Sequence, residues 1–174
     1  MRFLMLLIAA LTLTGCATQG DTFNQTVLTD PAGHLSRGRA VHIATPKNGW
    51  FENTEYPGSG RMVASNLRAA FARFSDHVAI ADTCTDLACL KRSLPASQTA
   101  YYVVPEILHW ESRGKHWSTR PEVIEVKISV FESDQTQSRA SAILSIQHKN
   151  ALFGSEHPQD TLQDPINRYV SSLY

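Results

Sequence analysis

The sequence predicts an α/β (α+β) domain, a mixed β-sheet of about five strands with helices packed mainly on one face. Three observations carry this prediction. The spacing of apolar residues changes along the chain from two, as in a strand, to three and four, as in a helix, and back again. Residues 100–104, Ala-Tyr-Tyr-Val-Val, form an uninterrupted apolar run, the pattern of a strand buried on both faces. Residues 123–131 and 140–148 alternate apolar with polar side chains and are joined by a polar connector, the pattern of an antiparallel hairpin with one wet face.

The first element is an address. Met1-Arg2 is a minimal basic start, residues 3–13 are apolar apart from Thr12, and Leu13-Thr14-Gly15-Cys16 follows at once. This apolar run is too short for a membrane-spanning helix, which needs about 20 residues. It reads as a signal peptide over residues 1–15. The Leu-Thr-Gly-Cys sequence is a lipobox and resembles that of bacterial lipoproteins, which implies cleavage before Cys16, a thioether-linked diacylglycerol on its thiol, three acyl chains in all on the residue, palmitate among them, and stable membrane anchoring. Ala17 stands where an Asp would imply inner-membrane retention, so the resemblance implies the outer membrane, facing the periplasm. Residues 16–38 are mostly polar, with Gly20, Asp21, Asn24, Gln25, Asp30, Gly33 and Ser36 and only scattered apolar residues, and read as the lipidated cysteine and a flexible tether. Residues 39–174 then make one periplasmic domain.

Within that domain, residues 39–45 alternate around Val41 and Ile43 and predict a first strand that Pro46 ends. Residues 47–60 contain Asn48-Gly49 and Pro57-Gly58 and predict a long loop carrying Trp50, Phe51 and Tyr56. Val63, Leu67, Ala70, Phe71 and Phe74 share one stripe of a helix, with Ser59 as its cap and Arg61, Arg68 and Arg73 off the stripe. Residues 77–81 are a second strand and residues 85–94 a second helix, stopped by Pro95. With Thr85 as cap, Cys84 and Cys89 occupy the positions that meet in a hydrophobic staple, so a disulfide between them is sterically reasonable and suits an oxidising periplasm. Residues 99–108 form a third strand in which Pro105 implies a bulge or an edge. Asp164-Pro165 opens a last helix whose stripe is Ile166, Tyr169, Val170 and Leu173. The order is two crossover units, a meander and a closing helix.

Composition excludes several functions. The chain has 16 basic and 16 acidic residues and zero formal charge, so it has no global field to hold nucleic acid. At 43% hydrophobic it is too apolar for a disordered chain. Seven scattered histidines show no metal-binding spacing. Ser145 with His148, or Glu111 with Asp160, are conceivable catalytic pairs, but no nucleophile elbow or phosphate loop accompanies them. We therefore expect no enzyme, no metal and no cofactor.

Trp110-Glu111-Ser112-Arg113 followed by Trp117-Ser118, and His157-Pro158-Gln159-Asp160 followed by Tyr169-Val170 and Leu173-Tyr174, resemble a family of uncharacterised bacterial lipoproteins classed as a domain of unknown function. The resemblance spans roughly residues 38–174 and includes Ala64, Leu67, Ala70 and Phe71. It implies an envelope lipoprotein and brings no catalytic residue with it. More distantly, the element order is similar to the amino-terminal module of the Tol-system propeller protein and to curli-secretion and penicillin-binding-protein-activator lipoproteins, a likeness of fold rather than of function.

The candidate binding surface comprises Trp50, Phe51, Tyr56, Trp110, Glu111, Arg113 and Trp117. Trp and Arg are the side chains most enriched at binding hot spots. The competing reading has the tryptophans closing the end of the core while Glu111 pairs with Arg113. For Trp50, Phe51 and Tyr56 a third reading is contact with the membrane interface, where aromatic rings are stable. The sequence thus predicts a non-catalytic, lipid-anchored envelope protein that binds another envelope component by its aromatic loops, its sheet edge or both. The alternative is an envelope domain that binds or hydrolyses a small molecule or glycan.

Overall fold

The computed structural model describes residues 22–31, 33–93, 100–112, 122–148 and 158–174. The signal peptide and Cys16 lie outside these residues, as do Arg113 and Trp117.

A six-stranded mixed sheet organises the domain. Its strands in chain order are β1 (Thr22–Thr29), β2 (Val41–Ala44), β5 (Val78–Ala81), β6 (Tyr101–Trp110), β7 (Glu122–Glu132) and β8 (Ala140–His148). A separate hairpin is made of β3 (Gly49–Phe51) and β4 (Thr54–Tyr56). The helices are α1 (Ser59–Phe71), α2 (Leu87–Ser93) and α3 (Gln163–Ser172), the last preceded by a 3₁₀ turn at Pro158–Thr161. The sheet order is β1-β8-β7-β6-β2-β5. β2 pairs parallel with both β5 and β6, and the remaining pairs are antiparallel. Thus β2-α1-β5 and β5-α2-β6 are the two crossover units, and β6-β7-β8 is the meander.

The apolar alternation decides which face each helix covers. Val41 and Ile43 of β2, Tyr101 and Val103 of β6, and Ile124, Val126, Ile128 and Val130 of β7 turn to one side. There they meet Val63, Leu67, Ala70 and Phe71 of α1 and Ile166, Tyr169, Val170 and Leu173 of α3. These side chains are essentially sealed from water, and each large aliphatic one contributes about 1.5–3 kcal/mol on burial. On the opposite face α2 covers the parallel end of the sheet, where Leu90 packs with Ala44, Ala100 and Tyr102. Residues 100–103 are therefore buried from both sides, as their unbroken apolar run requires. The face of β7 and β8 away from α1 and α3 stays wetter and carries Glu125, Lys127 and Gln147 half-buried.

Pro105 sits inside β6 without breaking the sheet. The Tyr101 N–H donates to Ala40 O on the β2 side, and alternate residues along a strand point their N–H groups the same way. Residue 105 therefore faces the side on which β2 has already ended at Ala44. Proline forfeits no ladder bond there.

The tether expected at residues 16–38 is corrected for its second half. Residues 22–29 are β1, paired antiparallel with β8, and Phe23 packs on the main core beneath the Arg168 guanidinium, 5.2 Å from the ring centroid. Further on, Leu35 is buried, its N–H donating to Leu173 O at 2.6 Å, and the Gly38 N–H donates to Phe74 O at 2.9 Å. Three capping assignments change as well. Asn48 Oδ1, not Ser59, accepts the N–H groups of Gly58 and Gly60 at the start of α1. Asp86 rather than Thr85 opens α2, its carboxylate accepting the Cys89 N–H at 2.7 Å. The third helix begins one residue before Asp164, with no side-chain cap.

Candidate functional site

The loop expected at residues 47–60 is the β3–β4 hairpin. Its turn is at Glu52-Asn53, with Glu52 in the left-handed region at φ 53°. The dipeptide Asn48-Gly49 is not that turn, and Gly49 is there for another reason. A Cβ at Gly49 would overlap Trp110 Cβ and lie 2.8 Å from Trp110 Cγ. The backbone of β3 lies directly against the Trp110 side chain.

This contact brings together two aromatic stretches some sixty residues apart in the chain. The Tyr56 hydroxyl donates to Ser112 O at 2.9 Å. Phe51 meets His109 edge-on at 5.5 Å between ring centroids. His109 Nε2 is 3.3 Å from Glu111 Oε2, and the Glu111 N–H donates to Val123 O at 2.8 Å. The hairpin is thereby fastened to the end of β6 by packing and by a hydrogen bond.

Exposure sorts the candidate residues. Trp110 is 2% exposed and belongs to the main core, and Glu111 is also buried, so neither offers a binding surface. The cause is a β-bulge between Ile107 and His109. Without the extra residue, Trp110 would share a face with Tyr102 and Val104; with it, Trp110 pairs with Ile124 and turns to the α1–α3 side. Leu108, the bulged residue, is left 43% exposed. Phe51 and Tyr56 are half-buried supports. Trp50 alone of the described candidates is well exposed, at 56%.

Two further features lie outside the aromatic candidate surface. Among the described residues nothing pairs with the outer side of β1, which forms one edge of the sheet and exposes Val27 and Leu28. Near the ends of β2 and β5 lies an open crevice of about 440 Å³ bordered by Lys47, Asn48, Asp86, Pro105 and Glu106. The chain leaves β2 toward one face and β5 toward the other, so the crevice occupies the switch point at which α/β sheets bind ligands. Its acidic groups are engaged: Asp86 caps α2, and Glu106 Oε2 lies 3.6 Å from Lys127 Nζ. Cys84 and Cys89 beside it form the disulfide, with Cα atoms 5.3 Å apart. The described residues contain no group of three or more His, Cys, Asp or Glu placed to hold a metal ion, and no helix long and apolar enough to cross a membrane.

A family model described as "Domain of unknown function (DUF4823)" matches residues 33–173. No curated protein matches the chain. Among solved structures, it is similar to the PelC dodecamer from Paraburkholderia phytofirmans, with 20% identity over 88% of this chain and 96% of that one and a TM-score of 0.59. A second crystal form, of a PelC variant, matches at 18% identity, 87% and 98% coverage and a TM-score of 0.58. A DUF330 protein of Xanthomonas campestris matches at 14% identity, 85% and 89% coverage and a TM-score of 0.49. These likenesses concern the fold.

Proposed function

The chain belongs to the DUF4823 family, and from that premise we propose that it is a non-catalytic envelope lipoprotein, anchored through Cys16 to the periplasmic face of the outer membrane, whose domain binds another envelope component along the open edge of β1. The anchor rests on the lipobox at residues 13–16. The binding role rests on one observation above all, the eight-residue outer strand β1 with exposed Val27 and Leu28. A long edge strand presents a row of backbone donors and acceptors, and proteins recognise such edges by adding a strand. The similar PelC structure is a dodecamer, which makes a second copy of this chain one candidate for the component.

A photo-crosslinking side chain in place of Leu28, introduced into the full-length protein in cells, tests the reading. We expect one discrete adduct, a homo-oligomer included, that disappears when Val27→Lys and Leu28→Lys are introduced with the crosslinker moved to Thr26. A Trp50→Ala variant should retain it. A crosslinking pattern indifferent to the edge lysines sinks this assignment.

The crevice at the ends of β2 and β5 supports a second reading, an envelope domain that binds or hydrolyses a small molecule or glycan. Its volume falls within the usual range for ligand sites, about 300–1,000 Å³. Against hydrolysis stands the engagement of Asp86 and Glu106 in structural contacts. Turnover or saturable binding abolished by Lys47→Ala with Glu106→Gln would favour this reading over the first.

A further inference from the structure

We propose that the end of the sheet bearing the β3–β4 hairpin rests on the lipid surface that anchors the chain, with Trp50 seated at the level of the headgroups. The inference rests on lipidation of Cys16, as read above, and goes beyond it by assigning the surface that meets the membrane.

The occupant follows from where the chain enters the fold. Thr22 begins β1 opposite Gln147, Gln147 is opposite Val123, and Val123 O accepts the Glu111 N–H. One line across the sheet therefore joins the start of β1 to the end of β6, where Trp110 carries the hairpin. From β1 to β6 is three strand spacings, about 14 Å. Cys16 precedes Thr22 by six residues, which reach at most about 20 Å when fully extended. An acyl chain on Cys16 thus keeps this end of the domain within that distance of the bilayer, and the hairpin stands at the same end. Val27 and Leu28 lie about 17 Å further along β1, away from the anchor.

The hairpin has the chemistry for the interface. An indole combines an apolar body with a polar N–H and partitions to the headgroup region. Trp50 is exposed on a support already held by Trp110, Ser112 and His109, so seating it requires little ordering of the backbone. Within the described hairpin segment 47–56, Lys47 stands against Glu52 and Glu55, all three exposed, so these residues do not themselves attract anionic lipid. The contact is one of aromatic partitioning, indifferent to salt, and suits a zwitterionic surface.

Full-length protein purified from envelopes, its mass measured to establish acylation at Cys16, is reconstituted into phosphatidylcholine vesicles containing lipid brominated near the headgroup end of its chains. We expect tryptophan emission to be quenched, the Trp50 share of that quenching to be lost in Trp50→Phe, and added salt to leave it unchanged. Trp50→Phe retains an aromatic ring at an exposed position, and an unchanged circular dichroism spectrum verifies its fold. Acylated, vesicle-bound protein whose quenching is identical in wild type and Trp50→Phe overturns the membrane-facing assignment while leaving the lipoprotein reading intact. A mass showing unmodified Cys16 removes the anchor, and both readings fall.

Discussion

Gly49 owes its identity to Trp110, since any side chain there must displace the indole that closes the end of the core. Overpacking of this kind costs about 1–3 kcal/mol. Gly49→Ala should lose that much stability in a urea titration, whereas Thr54→Ala, at an exposed position of the same hairpin, should lose much less. Equal losses would mean that the hairpin does not bear on Trp110. His42 supplies a second expectation. Burial holds its imidazole below the usual 6.5, so the unfolded chain takes up this proton at a higher pH than the folded one. Stability then declines as pH falls below about 6.5 and stops declining on this account once the folded imidazole is protonated too. His42→Phe, which can still pack against the ring of Tyr102, should flatten that part of the profile. A slope unaltered between about pH 8 and about pH 5 would refute the assignment. At the same scale, burial raises the Tyr174 phenol to about 12, keeping it neutral in its stack on Phe74.

At the scale of the element, α2 is too short to hold itself together in water. Two local devices support it, the Asp86 cap and the Cys84–Cys89 bridge, which ties the approach from β5 to the first turn of the helix. On the chain-entropy account a bridge closing so small a loop contributes about 2 kcal/mol. Cys84→Ser with Cys89→Ser should therefore lower stability by about that amount and raise hydrogen exchange in α2 and at Tyr102. Protection in α3, on the opposite face, should change only with the global stability. Preferential loss in α3 would contradict the two-faced arrangement. The bulge in β6 is the other element-scale device, because one extra residue transfers Trp110 from one face to the other and leaves Leu108 exposed.

Among the described residues, helices cover the parallel part of the sheet on both faces and the antiparallel part on one. β1 completes the antiparallel half, yet the family match begins at residue 33, beyond it. Removing residues 1–31 should leave a chain that folds on the core of α1, α3 and the other strands, with β8 as a new open edge. Such edges invite pairing between molecules. We expect concentration-dependent association by light scattering that exceeds whatever the chain beginning at residue 22 shows through β1; an unfolded product would instead make β1 part of the core that holds the sheet together. From the sequence alone, periodicity determined the helices, the buried strand β6 and the β7–β8 hairpin, because burial on one face or on both imprints a period on the residues. Proximity at the entrance to α2 likewise indicated the disulfide. Tertiary structure alone decided the rest. β1 is an edge with little buried surface, so its residues carry no strong alternation; the hairpin is held by a glycine chosen for contact with a residue far along the chain; and the exposure of each tryptophan depends on a bulge that changes strand parity without altering the apolar composition of β6. Periodicity records which side of its own element a residue occupies, whereas these three features depend on what another element places against it.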